Sequence, residues 1–256
     1  MTEKVKKKGR IDIVLVEKGF VQSRNAARSL LMSGSVYVDG QKIDKAGKLI
    51  NPDSQIIVKD RLPRYVSRGG LKLEKALNEF RIDVRDKVCL DIGSSTGGFV
   101  DCLLKYGALK VYAIDVGYGQ LDWKLRNDKR VIVKERMNAR YLKQEDIGGY
   151  VDIITIDVSF ISIKKVINPA LKILKNNGVL IGLIKPQFEV GKGEVGKGGI
   201  VRDPEKHNAV VQEIEQYLND LGLKEIITID SPILGAQGNK EFLFSAITPV
   251  QNYVSI

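Results

Sequence analysis

The stretch Val88-Cys89-Leu90-Asp91-Ile92-Gly93-Ser94-Ser95-Thr96-Gly97-Gly98-Phe99 decides how the larger part of this chain folds. A short apolar run ends on an acid, turns through glycines and opens into a helical pattern, which is the sequence form of strand, tight turn and helix. Glycines in such a turn let the backbone approach a ligand at the helix N-terminus. Asp115, closing the next apolar run, stands where an acid can hold ribose hydroxyls. A turn of this kind does not by itself tell one nucleotide-like ligand from another.

Reading outward, short apolar runs alternate with helical stretches at 88–92, 111–116, 131–134, 151–157, 179–184, 226–229 and 242–247. Such alternation predicts a parallel sheet covered by helices on both faces, with ligands at the carboxyl ends of the strands. The last two runs are too close for a helical crossover and should pair antiparallel. One reversed strand at the end of a seven-stranded Rossmann-like α/β sheet marks S-adenosyl-L-methionine-dependent methyltransferases. The dinucleotide alternative is weakened because Ser95 stands where G-x-G requires glycine. The expected cofactor contacts are Asp91, Gly93, Ser94, Ser95, Thr96, Gly97, Gly98, Asp115 and Asn138, with a helix cap as the other reading of Asn138. Residues 191–198 meet G-x-x-x-x-G-K but lack the Ser/Thr that magnesium needs, so 191–199 reads as a glycine-rich loop beside the site, closing over nucleic acid or lying plainly on the surface.

The 256 residues carry 41 basic and 31 acidic side chains, a net charge of +10 that points to a polyanion. Residues 1–72 hold 16 Lys/Arg against 7 Asp/Glu, so nearly all the excess lies in the N-terminal part. Two cysteines give no disulfide framework, and one histidine, His207, leaves no expected metal centre and little room for a serine–histidine triad. No apolar run reaches the roughly 20 residues of a spanning helix, and the charged N-terminus lacks a signal-peptide core. A reduced, cytoplasmic protein is expected.

The basic part has its own pattern. Ile11, Val14 and Leu15 at helical spacing stop at Gly19; Ser23 is a candidate cap for a helix over 24–32; Asp39-Gly40 between 36–38 and 41–43 fits a type I′ hairpin; 56–59 supplies another strand. This resembles an S4 domain, a small RNA-binding fold, through Arg10-Ile11-Asp12, Ser23-Arg24 to Leu30-Leu31, and Gly34 to Lys42. The division is read as 1–60 for this domain, 61–68 as a basic interdomain linker and 69–256 as the methyltransferase. Arg10, Arg24 and Arg28, with Lys6 to Lys8 and the linker's Arg64 and Arg68, are candidate RNA contacts.

Methyl transfer to a hydroxyl needs in-line approach and removal of a tightly held proton; a lysine serves only when unprotonated, which neighbouring cations and desolvation favour. Asp157 and Lys185 both close strands whose ends face the ligand crevice. Taken together, Val66 to Leu73, Asp91 to Phe99, Asp115 to Leu121, Asp157 to Ile163, Lys185 to Lys192 and Gly238 to Phe242 are similar to the TlyA family, which joins an S4 domain to an FtsJ-like ribose 2′-O-methyltransferase acting on cytidines of ribosomal RNA. The resemblance implies a lysine–aspartate–lysine–glutamate tetrad at Lys72, Asp157, Lys185 and Glu241. In it Lys185 is the base or steers the 2′-hydroxyl, Asp157 and Lys72 set its charge state, and Glu241 anchors the lysines. Phe160 is a candidate stacking partner for a turned-out base, a core phenylalanine being the alternative. It also implies S-adenosyl-L-methionine as cofactor and ribosomal RNA or a ribosomal subunit as partner. A non-catalytic RNA-binding protein, a nicotinamide-dependent oxidoreductase, and the membrane-lytic haemolysin for which family members are labelled are the rival readings.

Overall fold

The computed structural model of the chain describes residues 8–58, 64–191 and 193–250, which fall into two compact units, Met1–Arg64 and Tyr65–Ile256. Lys6, Lys7, Arg61 and Lys192 of the expected basic segments lie outside the described residues.

In the smaller unit, α1 (Ile11–Glu17) and α2 (Arg24–Met32) pack through Ile11, Leu15, Ala27, Leu30 and Leu31, all buried. The α2 cap is as the sequence predicts: Ser23 Oγ accepts from Ala26 N–H at 3.2 Å. Strands β1 (Val36–Val38) and β2 (Gln41–Lys42) form a hairpin whose two turn residues, Asp39 and Gly40, have φ of 49° and 79°, the backbone a type I′ turn requires. β3 (Ile56–Val58) pairs antiparallel with β1. A further short pair, Gly9–Arg10 with Leu49–Ile50, is too brief to show any alternation in the sequence.

The larger unit begins with α3 (Gly69–Glu79) and continues β4 (Val88–Ile92), α4 (Gly98–Lys105), β5 (Lys110–Ile114), β6 (Val131–Lys134), β7 (Val151–Ile156), α5 (Lys164–Leu171), β8 (Leu174–Ile184), α6 (Pro186–Glu189), α7 (Pro204–Asp220), β9 (Lys224–Asp230) and β10 (Phe242–Ile247). The seven strands lie in the order β9-β10-β8-β7-β4-β5-β6; β10 runs antiparallel to both neighbours and the other pairings are parallel. Alternate side chains divide the core. Leu90, Ile92, Ile154 and Ile156 face α5 and α7, whereas Cys89 and Ile153 face α3 and α4. The switch in strand order between β4 and β7 puts the residues after β4, β7 and β8 on one edge of the sheet, where open α/β folds bind ligands.

Two boundaries differ from the sequence reading. β8 starts at Leu174 and carries a bulge at Asn177 (φ 55°), which Thr248 Oγ1 bridges by accepting from Gly178 N–H (2.9 Å) and donating to the Lys175 carbonyl (2.6 Å). The linker is corrected from Tyr65 onward: Tyr65 is buried against Gly70 and beneath the Lys105 ammonium, and Val66 N–H donates to Asp101 Oδ2 at 2.9 Å. An aromatic ring with a pocket to fill belongs to the core it enters, so 65–68 form part of the larger unit. No helix among the described residues is long and apolar enough to cross a membrane.

Candidate active site

Four ionic side chains from distant segments meet at the carboxyl edge of the sheet. Asp157 and Lys185 each follow directly on their strands, β7 and β8, which are hydrogen-bonded neighbours. Glu241 precedes β10, whose first residue Phe242 pairs with Ile184, so the antiparallel register sets the glutamate beside Lys185. Lys72 comes from the first turn of α3. Lys72 Nζ lies 2.5 Å from Glu241 Oε2, with both side chains nearly inaccessible at 10% and 2% exposure. Lys185 Nζ donates to Ser159 Oγ at 3.0 Å and lies 2.5 Å from Asp157 Oδ1. The second contact is ionic only: Asp157 Oδ1 has no aligned hydrogen-bond donor. The quartet is therefore two adjacent ion pairs, and Glu241 holds Lys72 alone, not both lysines.

Two cavities border the quartet and Lys72 lines both. The first, about 240 Å³, runs along Gly93, Ser94, Ser95, Thr96 and Gly98 to Arg68, Lys72 and Asp157. Its wall needs glycine: Gly93 has φ of 88° and a Cβ there would overlap the Asp157 carbonyl, while one on Gly98 would strike Ser67 and the Gly70 amide where α3 and α4 begin side by side. The second, about 420 Å³, is lined by Lys72, Lys185 and Glu241 together with Ser159, Phe160, Phe188, Gln187 and Asn239.

Four of the expected cofactor contacts do not line the first cavity. Asp91 is buried; its Oδ1 accepts from Thr155 Oγ1 at 2.7 Å and its Oδ2 has no partner. Burial pushes this carboxyl up to about 7, helped by the charges of Asp157 and Asp115 and opposed by the Thr155 hydroxyl. Gly97 turns the chain into α4 beneath Leu121 and Leu125. Asp115 Oδ2 accepts from Ser95 N–H (2.8 Å), bracing the glycine turn, and its Oδ1 accepts from Gly117 N–H (2.7 Å) in its own loop. Asn138 is the helix cap: its Oδ1 accepts from Arg140 N–H at 3.2 Å. Backbone donors two residues away, or across a turn, compete for a short acid or amide in a way strand spacing does not reveal.

Phe160 is not a core residue. It is 88% exposed and holds a left-handed φ of 67°, uncommon for a bulky side chain, with its ring 5.4 Å from that of Phe188. Glu189 fixes the loop that carries it, accepting from Ser162 Oγ (2.6 Å) and Ile163 N–H (2.8 Å) and so tying residues 157–163 to α6. Burial raises the Glu189 carboxyl above its ordinary range. Ser159, Gln187, Phe188, Glu189 and Asn239 were not singled out from the sequence, although most flank Lys185, Asp157 or Glu241 and adjacency to a strand-end charge was the available signal. The glycine-rich segment is anchored: Asn239 Nδ2 donates to the Gly199 carbonyl (2.9 Å), its Oδ1 accepts from Val201 N–H (3.1 Å), and His207 Nε2 meets the Val201 carbonyl at 2.8 Å.

In the smaller unit, Arg10 and Arg24 converge on Asp12, at 3.0 and 2.9 Å. Asp12 is inaccessible, and the Arg10 guanidinium above all holds its carboxyl down to about 2. Both arginines remain about half exposed, 43% and 51%, so the carboxylate orders their forks without covering them. Arg28 is exposed on the same helix, and Arg64 and Arg68 are exposed in their own units.

Comparison with known proteins agrees with this architecture. Residues 65–247 match the FtsJ-like methyltransferase family and residues 9–56 the S4 domain. The chain is 48% identical over 238 residues, 93% of its length and 85% of the relative's, to a Bacillus subtilis protein provisionally named rRNA methyltransferase YqxC. It is 43% identical over 237 residues, 92% and 88% of the two chains, to the 16S/23S rRNA (cytidine-2′-O)-methyltransferase TlyA of Mycobacterium tuberculosis. A solved structure from Streptococcus thermophilus, provisionally called a hemolysin, superposes with a TM-score of 0.75 at 41% identity, covering 95% of this chain and 89% of the other. Fold and sequence agree over nearly the whole length, and the chain belongs to the FtsJ-like methyltransferases, with an S4 domain ahead of the methyltransferase fold.

Proposed function

We propose that this protein transfers a methyl group from S-adenosyl-L-methionine to the ribose 2′-oxygen of cytidine in ribosomal RNA, acting in the cytoplasm on a ribosomal subunit or its precursor. The observation that carries this reading is the meeting of Lys72, Asp157, Lys185 and Glu241, from four distant segments, at the junction of two cavities.

The first cavity suits the cofactor. Its glycine wall admits a close-lying ligand, the start of α4 borders it for a carboxylate, and the Asp157 carboxylate lines it with negative charge suited to a sulfonium. When bound, S-adenosyl-L-methionine supplies an electrophilic methyl carbon whose bonding pair to sulfur leaves as a neutral thioether. Lys185 takes the proton that the 2′-hydroxyl loses as the ribose oxygen bonds to that carbon, and the Asp157 carboxylate 2.5 Å away balances the ammonium charge so formed. Lys72, fixed by Glu241, holds a positive charge between the cavities and steadies the developing oxyanion. Phe160 offers a ring to the turned-out base, and Arg10, Arg24, Arg28, Arg64 and Arg68 offer cations to the RNA backbone.

The test is to map 2′-O-methyl groups on ribosomal RNA from cells with and without the gene. Loss of methylation at one or more cytidines, restored by the wild-type chain but not by Lys185→Ala, is the expected result. An unchanged methylation map refutes the reading and favours a non-catalytic RNA-binding protein.

A further inference from the structure

We propose that Gln187 selects the base, accepting a hydrogen bond from the exocyclic amine of cytosine in the second cavity; this rests on the methyl-transfer reading above. Gln187 is the second residue of α6, two positions after Lys185 and directly before Phe188. Its Oε1 is buried and has no donor. Buried acceptors are almost always paired, so one left over beside a ligand-sized cavity calls for a partner from outside the chain.

Most of the surrounding polar side chains have partners within the protein; the other lining amide, Gln237, is exposed, whereas the Gln187 oxygen is buried. Lys72 holds Glu241, Lys185 holds Asp157 and Ser159, and Asn239 bonds Gly199 and Val201. Besides Gln237, what remains for a ligand is mostly flat and apolar: the rings of Phe160 and Phe188, 5.4 Å apart and inclined at 49°, with Gln187 on the same lining. Rings hold any base by its face and carry no preference; the amide is the group that meets an edge. In the orientation seen here, its oxygen accepts from an amine such as cytosine N4–H. The same edge of uracil carries a carbonyl, which would set acceptor against acceptor. Because α6 follows directly on Lys185, one turn of backbone supplies both the group that meets the sugar oxygen and the group that meets the base.

The experiment uses the full chain and ribosomal RNA bearing either cytidine or uridine at the position the mapping identifies, with methyl incorporation measured for each. A well-formed base-edge contact discriminates by about fivefold or more, so the wild type should favour cytidine by that factor or more. Gln187→Leu should bring the cytidine-to-uridine ratio to within about twofold of unity while cofactor affinity is unchanged. Gln187→Glu, which can only accept at that edge, should keep the preference for cytidine and decides the matter if the leucine variant misfolds. A wild type that methylates both RNAs alike, a leucine variant that keeps the wild-type ratio, or a glutamate variant that loses it overturns the assignment while leaving methyl transfer intact. A wild type that methylates neither RNA overturns the methyl-transfer reading as well.

Discussion

Removing either member of the Lys72–Glu241 pair should unsettle the fold, whereas removing both should not. At 2.5 Å the two charges attract by about 7 kcal/mol if the effective dielectric is about 20. Stripping water from both ions offsets most of that gain, so the pair contributes little net stability; its weight appears when it is broken. Lys72→Met leaves the glutamate, 2% exposed, with its desolvation and without its counter-ion, and Glu241→Leu does the same to the lysine. Each single variant should lose about 3 kcal/mol or more, and the double variant should lie within about 1 kcal/mol of the wild type. Urea unfolding of the full chain, following the transition of the larger unit, measures all four corners of the cycle. All three variants should fail to transfer methyl, so activity cannot stand in for the stability measurement. Strictly additive losses, or single variants costing under about 1 kcal/mol, would refute the reasoning that the pair is dry and mutually dependent.

Other consequences are as direct. Lys185→Ala should lower methyl transfer by at least about a hundredfold, the low end for a lost acid–base group, while calorimetric titration finds cofactor affinity within a few-fold of wild type; normal turnover would remove Lys185 from the chemistry. Phe160→Ala should leave thermal stability unchanged, because the ring is 88% exposed, yet weaken transfer to RNA by roughly tenfold or more through lost stacking. A drop in melting temperature with full activity would make the ring structural. Asp91 keeps its proton up to about pH 7 in the folded chain but loses it near 3.8 when unfolded, so its own contribution to stability is greatest below about pH 4 and declines as pH rises to 7. Asp91→Asn removes that slope, so its melting temperature relative to wild type should climb between pH 5 and pH 8; a flat difference would show the carboxyl ionised.

The sheet was legible because its strands are runs of apolar residues set between helices, and the reversed β10 followed from the short connection before it. The hairpin turn was legible because Asp39-Gly40 meets a backbone requirement few other pairs satisfy. What escaped was decided by partners remote in sequence. Thr248 bridges a strand bulge 70 residues away, Asp101 takes the Val66 amide from 35 residues on, and Arg24 comes from the next helix to join Arg10 on Asp12; none of these contacts is visible within a window of neighbours. The site divided similarly. Residue types at strand ends located Asp157 and Lys185, and the family resemblance supplied Lys72 and Glu241; spacing could not tell that Asp115 and Asn138 bond nearby backbone, nor that Phe160 stands in solvent on a strained φ held by Glu189.

The clasp between α3 and the residue before β10 spans a sequence separation of 169. A ribosome making this chain releases Lys72 long before its counter-charge exists, and the glycine turn, Asp157 and Lys185 all emerge in between. Translation products that stop short of the final strand would therefore be inert, whatever RNA they grip through the S4 unit. Competence is conferred last, by the same act that completes the sheet.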